Sequence, residues 1–352
     1  MPSRSRRSCR ISQRFSADRR CSGGGPITQG LNIGPGHRGP AVHDLQRRLA
    51  GAGFLAPGSA EDSAFCARTH AAVIAFQDAF GLASTGIVDD VMWSTLIEAS
   101  WSLGDRILYE RSPNLRGDDV AELQSTLNRI GFDCGRVDGV FGPRTRSALT
   151  DFQRNIGLNP NGIAAPDVVA VLGRVSSQSG DGPGVALVRE REELADSTAP
   201  QTARVVLGGF DGTTDVLRAT QHRAHDAFPL CTTVDSDAVS QARAANEYGA
   251  NVYVGFEANE TDDCVIFFYE VPTFHSVGGK ALAERIVATM QDKVPELTVR
   301  TQGMRHPVLR ETRMPAVLCS LGPQQIVRLK VTGIANALVS SLRDWLAAPL
   351  EG

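Results

Sequence analysis

The chain has 352 residues, 42% of them hydrophobic, too many for one ordinary core and enough for two or three domains. Lys and Arg number 36 against 39 Asp and Glu, and this formal net charge of -3 gives no electrostatic case for nucleic acid as a partner. Aromatic residues, at 6%, supply no obvious stacking platform for bases or sugars.

The first 33 residues are rich in Arg and Ser, with Arg4, Arg6, Arg7, Arg10, Arg14, Arg19 and Arg20. A secretory signal needs an apolar stretch after its basic start, and none follows. The tail reads either as a basic arm for an anionic surface or as a disordered leader. No stretch of the chain is long and apolar enough to span a membrane. The seven cysteines, Cys9, Cys21, Cys66, Cys134, Cys231, Cys264 and Cys319, are scattered and form no C-x-x-C pair. That pattern predicts reduced thiols in a cytoplasmic protein rather than a disulfide framework or a zinc knuckle.

Self-comparison finds a repeat. Arg38-Gly39, Val42, Leu45-Gln46, Leu49 and Gly53-Phe54 recur as Arg116-Gly117, Val120, Leu123-Gln124, Leu127 and Gly131-Phe132. The spacing of three and four puts the apolar residues on one helix face. Further on, Phe76-Gln77 with Gly81-Leu82 and Thr85-Gly86-Ile87 recurs as Phe152-Gln153 with Gly157-Leu158 and Asn161-Gly162-Ile163. An apolar turn closes each unit, Val91 to Leu96 and Val168 to Leu172. No helix here can bury its stripe alone, so each unit is expected to be a three-helix bundle, over 34–103 and 110–174. Phe76, Phe152 and the leucines read as core. Gln77 and Gln153 each follow a core Phe and are candidates for exposed ligand contacts. Asp138-Gly139 is a turn signal, and Asp138 is a third candidate contact; Thr145 sits where a helix can be capped.

The pattern R-G-x-x-V-x-x-L-Q-x-x-L-x-x-x-G-F, followed by V-D-G-x-F-G-x-x-T-x-x-A-L-x-x-F-Q, resembles the peptidoglycan-binding module of bacterial wall hydrolases. The second copy is nearly complete, including Val137-Asp138-Gly139-Val140-Phe141-Gly142-Pro143-Arg144-Thr145. The first copy has a longer loop, Pro57 to Phe65, in place of the D-G-x-F-G turn. The resemblance implies peptidoglycan or its precursors as the partner.

Residues 175–202 read as a linker. Ser176 to Gly184 is rich in Ser and Gly, and Arg189-Glu190-Arg191-Glu192-Glu193 reads as a charged, helical connector. Over 203–349, strand-like runs at 203–207, 251–256, 264–269 and 315–319 alternate with helical stretches at 239–248, 279–290 and 324–346. That alternation predicts an α/β domain with a mainly parallel sheet.

The order of these fragments resembles the catalytic domain of zinc N-acetylmuramoyl-L-alanine amidases. In that family a His after the first strand, a Glu, a second His and a general-base Glu form the site. The matching runs here are Gly208-Gly209-Phe210-Asp211-Gly212, Ala245 to Asn259, and Pro315-Ala316-Val317-Leu318-Cys319-Ser320-Leu321-Gly322. Asp211 stands at the first His position, Glu257 at the second and Ser320 at the general base. No Glu lies between Asp215 and Leu230. A catalytic zinc wants imidazole and an ionisable water, and two carboxylates suit a harder ion. The expectation is therefore a scaffold without the chemistry: no catalytic residue, no cofactor, and a regulatory binding role like that of the actinobacterial wall-synthesis regulators, with a wall-synthesis enzyme as a further partner. The alternative is an active zinc amidase whose metal site is rebuilt from His222 and His225, three apart on an expected helix, together with Asp211 and Glu257. Cys319 beside Ser320 reads as a strand-buried thiol.

Overall fold

The structure is a computed structural model; it describes residues 31–56, 63–80, 82, 84–178, 184–195, 198–271 and 273–350. The basic leader through residue 30, most of the first repeat's long loop and the Ser/Gly stretch at 179–183 lie outside the described residues.

Each repeat is a bundle of three helices. The first comprises α1 (Pro40–Gly51), α2 (Ala67–Phe80) and α3 (Asp90–Ala99); the second comprises α4 (Asp118–Arg129), α5 (Pro143–Asn155) and α6 (Pro166–Gln178). The 3–4 spacing does what it predicts: Val42, Leu45 and Leu49, like Val120, Leu123 and Leu127, are buried, and Phe76 and Phe152 close the two cores. Val91 departs from expectation. It is 57% exposed, and α3 buries Met92 and Leu96 instead. Both bundles extend further toward the N-terminus than the repeat pattern indicated. Ile33 is buried and bridges Val88, and Leu108 bridges Ala164 in the same way. Asp89 caps α3 by accepting from the Met92 amide at 2.8 Å.

A connector helix, α7 (Val185–Ala195), leads into the third domain. That domain holds β1 (Arg204–Gly209), α8 (Thr214–Ala227), β2 (Leu230–Asp235), α9 (Ala238–Tyr248), β3 (Val252–Ala258), β4 (Asp263–Val271), β5 (Phe274–His275), α10 (Val277–Lys293), β6 (Thr298–Met304), α11 (Pro307–Glu311), β7 (Ala316–Leu321), α12 (Gln324–Leu329) and α13 (Val331–Ala347). The sheet runs β2-β1-β3-β7-β4, with β6 and the short β5 also paired to β4. β2, β1, β3 and β7 are mutually parallel, and β4 is antiparallel to β7 but parallel to β6. The expected mainly parallel sheet is present. β7 is buried throughout, as a strand covered on both faces must be.

Alternate residues separate the two faces. Val205, Leu207, Val254, Phe256, Val317 and Cys319 join the core that includes α8, α10 and α13. Val206, Tyr253, Leu318 and Ala316 face the other way, toward α9 and α11, and there Ala121 and Val137 of the second repeat complete the cluster. The repeats are therefore packed onto the sheet domain. Arg136 lies over the Tyr269 ring at 4.7 Å and donates to the Leu309 carbonyl at 3.1 Å. Arg310 donates to Glu98 of the first repeat at 2.9 Å.

Candidate functional site

Two places carry the chemistry the sequence singled out. The first is the set of turns in the repeats. In the second repeat, Gly139 adopts φ +69°, the left-handed region that glycine enters without strain. Gln124, from the middle of α4, fastens this turn. Its Oε1 accepts from the Asp138 and Gly139 amides at 3.1 and 2.9 Å. Its Nε2 donates to Asp138 Oδ1 at 2.8 Å, the Val140 carbonyl at 3.1 Å and Thr145 Oγ1 at 3.0 Å. Thr145 is thus no helix cap. Gly142 holds the cap position of α5, and the Thr145 hydroxyl sits one turn in, buried against Gln124.

Gln77 and Gln153 are not exposed; they are 2% and 0% accessible. Each fastens the next turn of its repeat. Gln153 Oε1 accepts from the Gly162 amide at 2.8 Å while Nε2 donates to the Ile163 carbonyl at 3.0 Å; Gln77 does the same to Gly86 and Ile87 at 2.9 and 2.8 Å. A buried amide that satisfies backbone groups on both its atoms is a structural fastener. Asp138 is half-buried, and burial pushes its carboxyl above the usual range against the pull of Gln124 and the Val140 amide. Of the three candidate contacts, Asp138 alone keeps an accessible side chain.

The second place is the C-terminal edge of the parallel strands. β3 and β7 pair so that Glu257 lies beside Ser320, and Asp211 leaves the end of the neighbouring β1. The three positions named from the amidase pattern therefore share one edge of the sheet. Ser320 is 5% accessible and lies opposite Glu257 across β3 and β7; Asn259 Nδ2 donates to Ser320 Oγ at 2.9 Å. Burial pushes the Glu257 carboxyl above its ordinary range. Asp211 is exposed on a turn tightened by Gly212, φ +82°.

His222 and His225 do not join this edge. Both are exposed on α8, whose buried residues are Val216, Leu217, Thr220 and Ala224. His222 lies eight residues along a helix that starts at the edge, roughly 12 Å from its beginning at 1.5 Å per residue. The helix thus carries the two imidazoles away from the edge that holds Asp211 and Glu257. Among the described residues no three His, Cys, Asp or Glu side chains cluster as a metal-holding group. The donor set at the strand edge is two carboxylates and a hydroxyl without imidazole, and the hydroxyl accepts from Asn259. These residues do not fit a catalytic zinc.

Cys319 is strand-buried as expected, and burial pushes its thiol up. Cys66, Cys134, Cys231, Cys264 and Cys319 are free thiols. Among the described residues no helix is long and apolar enough to cross a membrane. Asn259 closes the run matched to the amidase pattern, but sequence alone assigned it no role; its bond to Ser320 comes from the structure.

The family described as "Putative peptidoglycan binding domain" matches residues 38–96 and 116–172. The N-acetylmuramoyl-L-alanine amidase CwlM of Mycobacterium tuberculosis is 32% identical over 334 residues, spanning 82% of this chain and 80% of that protein. A probable N-acetylmuramoyl-L-alanine amidase of Bacillus licheniformis is 28% identical over 160 residues, 41% of this chain and 45% of that protein. Among solved structures, the amidase AmiC2 of Nostoc punctiforme aligns with a TM-score of 0.35 at 16% identity, over 42% of this chain and 98% of that one. Tandem peptidoglycan-binding repeats, an amidase-like α/β domain and identity sustained along both place this chain in the family of the mycobacterial amidase-named protein CwlM.

Proposed function

We propose that the protein binds peptidoglycan or its precursors without cleaving them, and regulates wall metabolism through that binding. The observation that carries this reading is the strand edge of Asp211, Glu257 and Ser320. The amidase scaffold is intact there, but the donors suit no zinc and the general-base position holds a hydroxyl. Binding and bond cleavage draw on different residues, so a wall-binding protein survives the loss of the second. In this reading the protein needs no cofactor. It acts in the cytoplasm, where free thiols such as Cys66 and Cys231 stay reduced, and its protein partner is an enzyme of wall synthesis.

The test is co-sedimentation of the full chain with purified peptidoglycan, with the supernatant assayed for released peptides. The reading predicts saturable binding and no release. Absence of binding, or release of peptides that begin with L-alanine, overturns it.

A further inference from the structure

The second repeat meets the sheet domain through polar groups more than through apolar ones. Asp118, Ala121 and Ser125 lie three and four residues apart, on one face of α4. Asp118 pairs with Arg305, Ala121 joins the sheet domain's cluster, and Ser125 Oγ donates to the Thr273 carbonyl at 3.3 Å. Beside this face, Arg136 at the start of the motif turn donates to the Leu309 and Thr312 carbonyls. Further ion pairs join Arg116 to Glu311 at 3.2 Å, Arg310 to Glu98 of the first repeat at 2.9 Å, and Arg189 of α7 to Asp133. The apolar share is small. Of the described residues of the repeats, Ala121 and Val137 alone enter the cluster on that side of the sheet.

Neither Ala121 nor Val137 belongs to the second repeat's own core, which closes around Val120, Leu123, Leu127, Phe141 and Phe152. The first repeat shows the same module with this face undocked. Pro40, His43 and Arg47 are the equivalents of Asp118, Ala121 and Ser125, and all three are exposed. The module therefore keeps its three helices with this face in water. Small Ala121 and Ser125 let the sheet domain approach, and Asp118 gives Arg305 a partner. His43 and Arg47 are bulkier, and Pro40 offers no carboxylate.

The docked seam also carries costs. The Tyr269 hydroxyl, whose ring lies under Arg136, is buried without a hydrogen-bond partner among the described residues. Asp118 is desolvated by the same contact. Undocking returns both to water. A cleft of about 1010 Å³ remains open along the seam, lined by Asp138 of the repeat and by Arg313 and Pro315 of the sheet domain. The side chains of the interdomain ion pairs are between 15% and 49% accessible, so dissolved ions reach them. Raising salt from 0.1 M to 1 M shortens the screening length from about 10 Å to about 3 Å. Docking held by apolar burial would not loosen under that change.

We propose that the docking of the second repeat on the sheet domain is an ion-pair latch that closes over the α4 face and over Arg136 and Val137 of the motif turn, and that opening presents them to the wall. The proposal rests on the wall-binding reading and adds its regulation. Closed, the chain offers this module face from the first repeat alone; open, it offers the face from both. A wall ligand that takes the uncovered face selects the open state.

The experiment has two arms on the full chain. Small-angle X-ray scattering compares wild type at 0.1 M and 1 M NaCl with Arg305→Ala plus Arg310→Ala at 0.1 M. Both substitutions lie in the sheet domain, and circular dichroism checks that helix content holds. Salt on wild type, and the double variant without it, are each expected to raise the radius of gyration by roughly a tenth. Co-sedimentation with purified peptidoglycan at 0.1 M NaCl forms the second arm, and the double variant is expected to bind at least about threefold more tightly than wild type. A radius unchanged by salt and by the substitutions overturns the latch. An expanded variant that binds no more tightly than wild type overturns the covering of a wall-binding face and leaves the wall-binding reading standing. If neither protein binds peptidoglycan, that reading falls and the proposal with it.

Discussion

Arg305 Nη2 donates to Asp118 Oδ2 at 3.0 Å, and a second nitrogen of the same guanidinium reaches the other oxygen of Asp118. The contact joins the loop after β6 to the first residue of α4, so a carboxylate at a helix N-terminus is shared with an arginine from another domain. The Arg305 guanidinium also lies over the Phe80 ring at 4.7 Å, so one side chain touches both repeats. Burial outweighs the arginine's pull and holds the Asp118 carboxyl above its usual range.

The two single substitutions at this contact are therefore unequal. Arg305→Ala removes the contact with Phe80 and leaves Asp118 desolvated, and is expected to weaken domain docking by about 2 kcal/mol. Asp118→Asn keeps an amide oxygen to accept from the Arg305 guanidinium, which stays over Phe80, and is expected to cost less, about 1 kcal/mol. Limited proteolysis of the α7 connector, faster in the Arg305 variant than in the Asp118 variant, checks the order. Equal rates contradict it.

The glutamine fasteners give a second prediction. Gln124→Ala leaves the Asp138 and Gly139 amides and the Thr145 hydroxyl without their partner, and is expected to destabilise the second repeat by about 2–4 kcal/mol. Thr145→Ala removes one of those bonds and is expected to cost about 1 kcal/mol. Urea denaturation of the full chain, followed by a probe in the second repeat, separates the two. A Gln124→Ala midpoint equal to wild type would mean that the turn holds without the amide.

His306 gives a pH dependence. Its Nδ1 accepts from the Val308 amide at 3.3 Å and caps α11, and its ring meets Phe210 edge-on at 5.6 Å. Burial, with Arg310 nearby, lowers it from 6.5 to about 4. The folded state thus resists a proton that the unfolded chain accepts. The His306 contribution is complete above pH 6.5 and is lost as pH falls toward 4, by up to about 3 kcal/mol. Asn caps helices and does not titrate, so His306→Asn is expected to match wild type near neutral pH and to lose less stability on acidification. Parallel urea titrations at several pH values check this; identical acid limbs contradict it.

The repeats were the most legible part of the chain because helical periodicity and glycine turns are local signals. Val120, Leu123 and Leu127 are buried on the face their spacing indicated. Side-chain roles were less legible. Gln77 and Gln153 follow a core Phe in sequence, but their partners are the turn backbones nine and ten residues later, which periodicity does not reveal. In the third domain the strands buried on both faces, β3 and β7, stood out as apolar runs. β2 and β6 did not. Thr232, Thr233, Arg300 and Gln302 give them the mixed pattern of strands near a sheet edge, where one side meets solvent. The long helix expected over 324–346 divides at Lys330 into α12 and α13. Glu257 and Ser320 were found by resemblance to the amidase pattern. Their adjacency across β3 and β7 is a matter of register, as is the position of Asn259 behind them.

The most direct test of the account is zinc content by elemental analysis of protein purified without a metal-affinity step, with peptide release from purified walls assayed on the same preparation. Far less than about one zinc per chain and no release is the predicted result. About one zinc per chain, lost together with peptide release in Asp211→Ala or Glu257→Ala, would contradict it and make the strand edge an active amidase site.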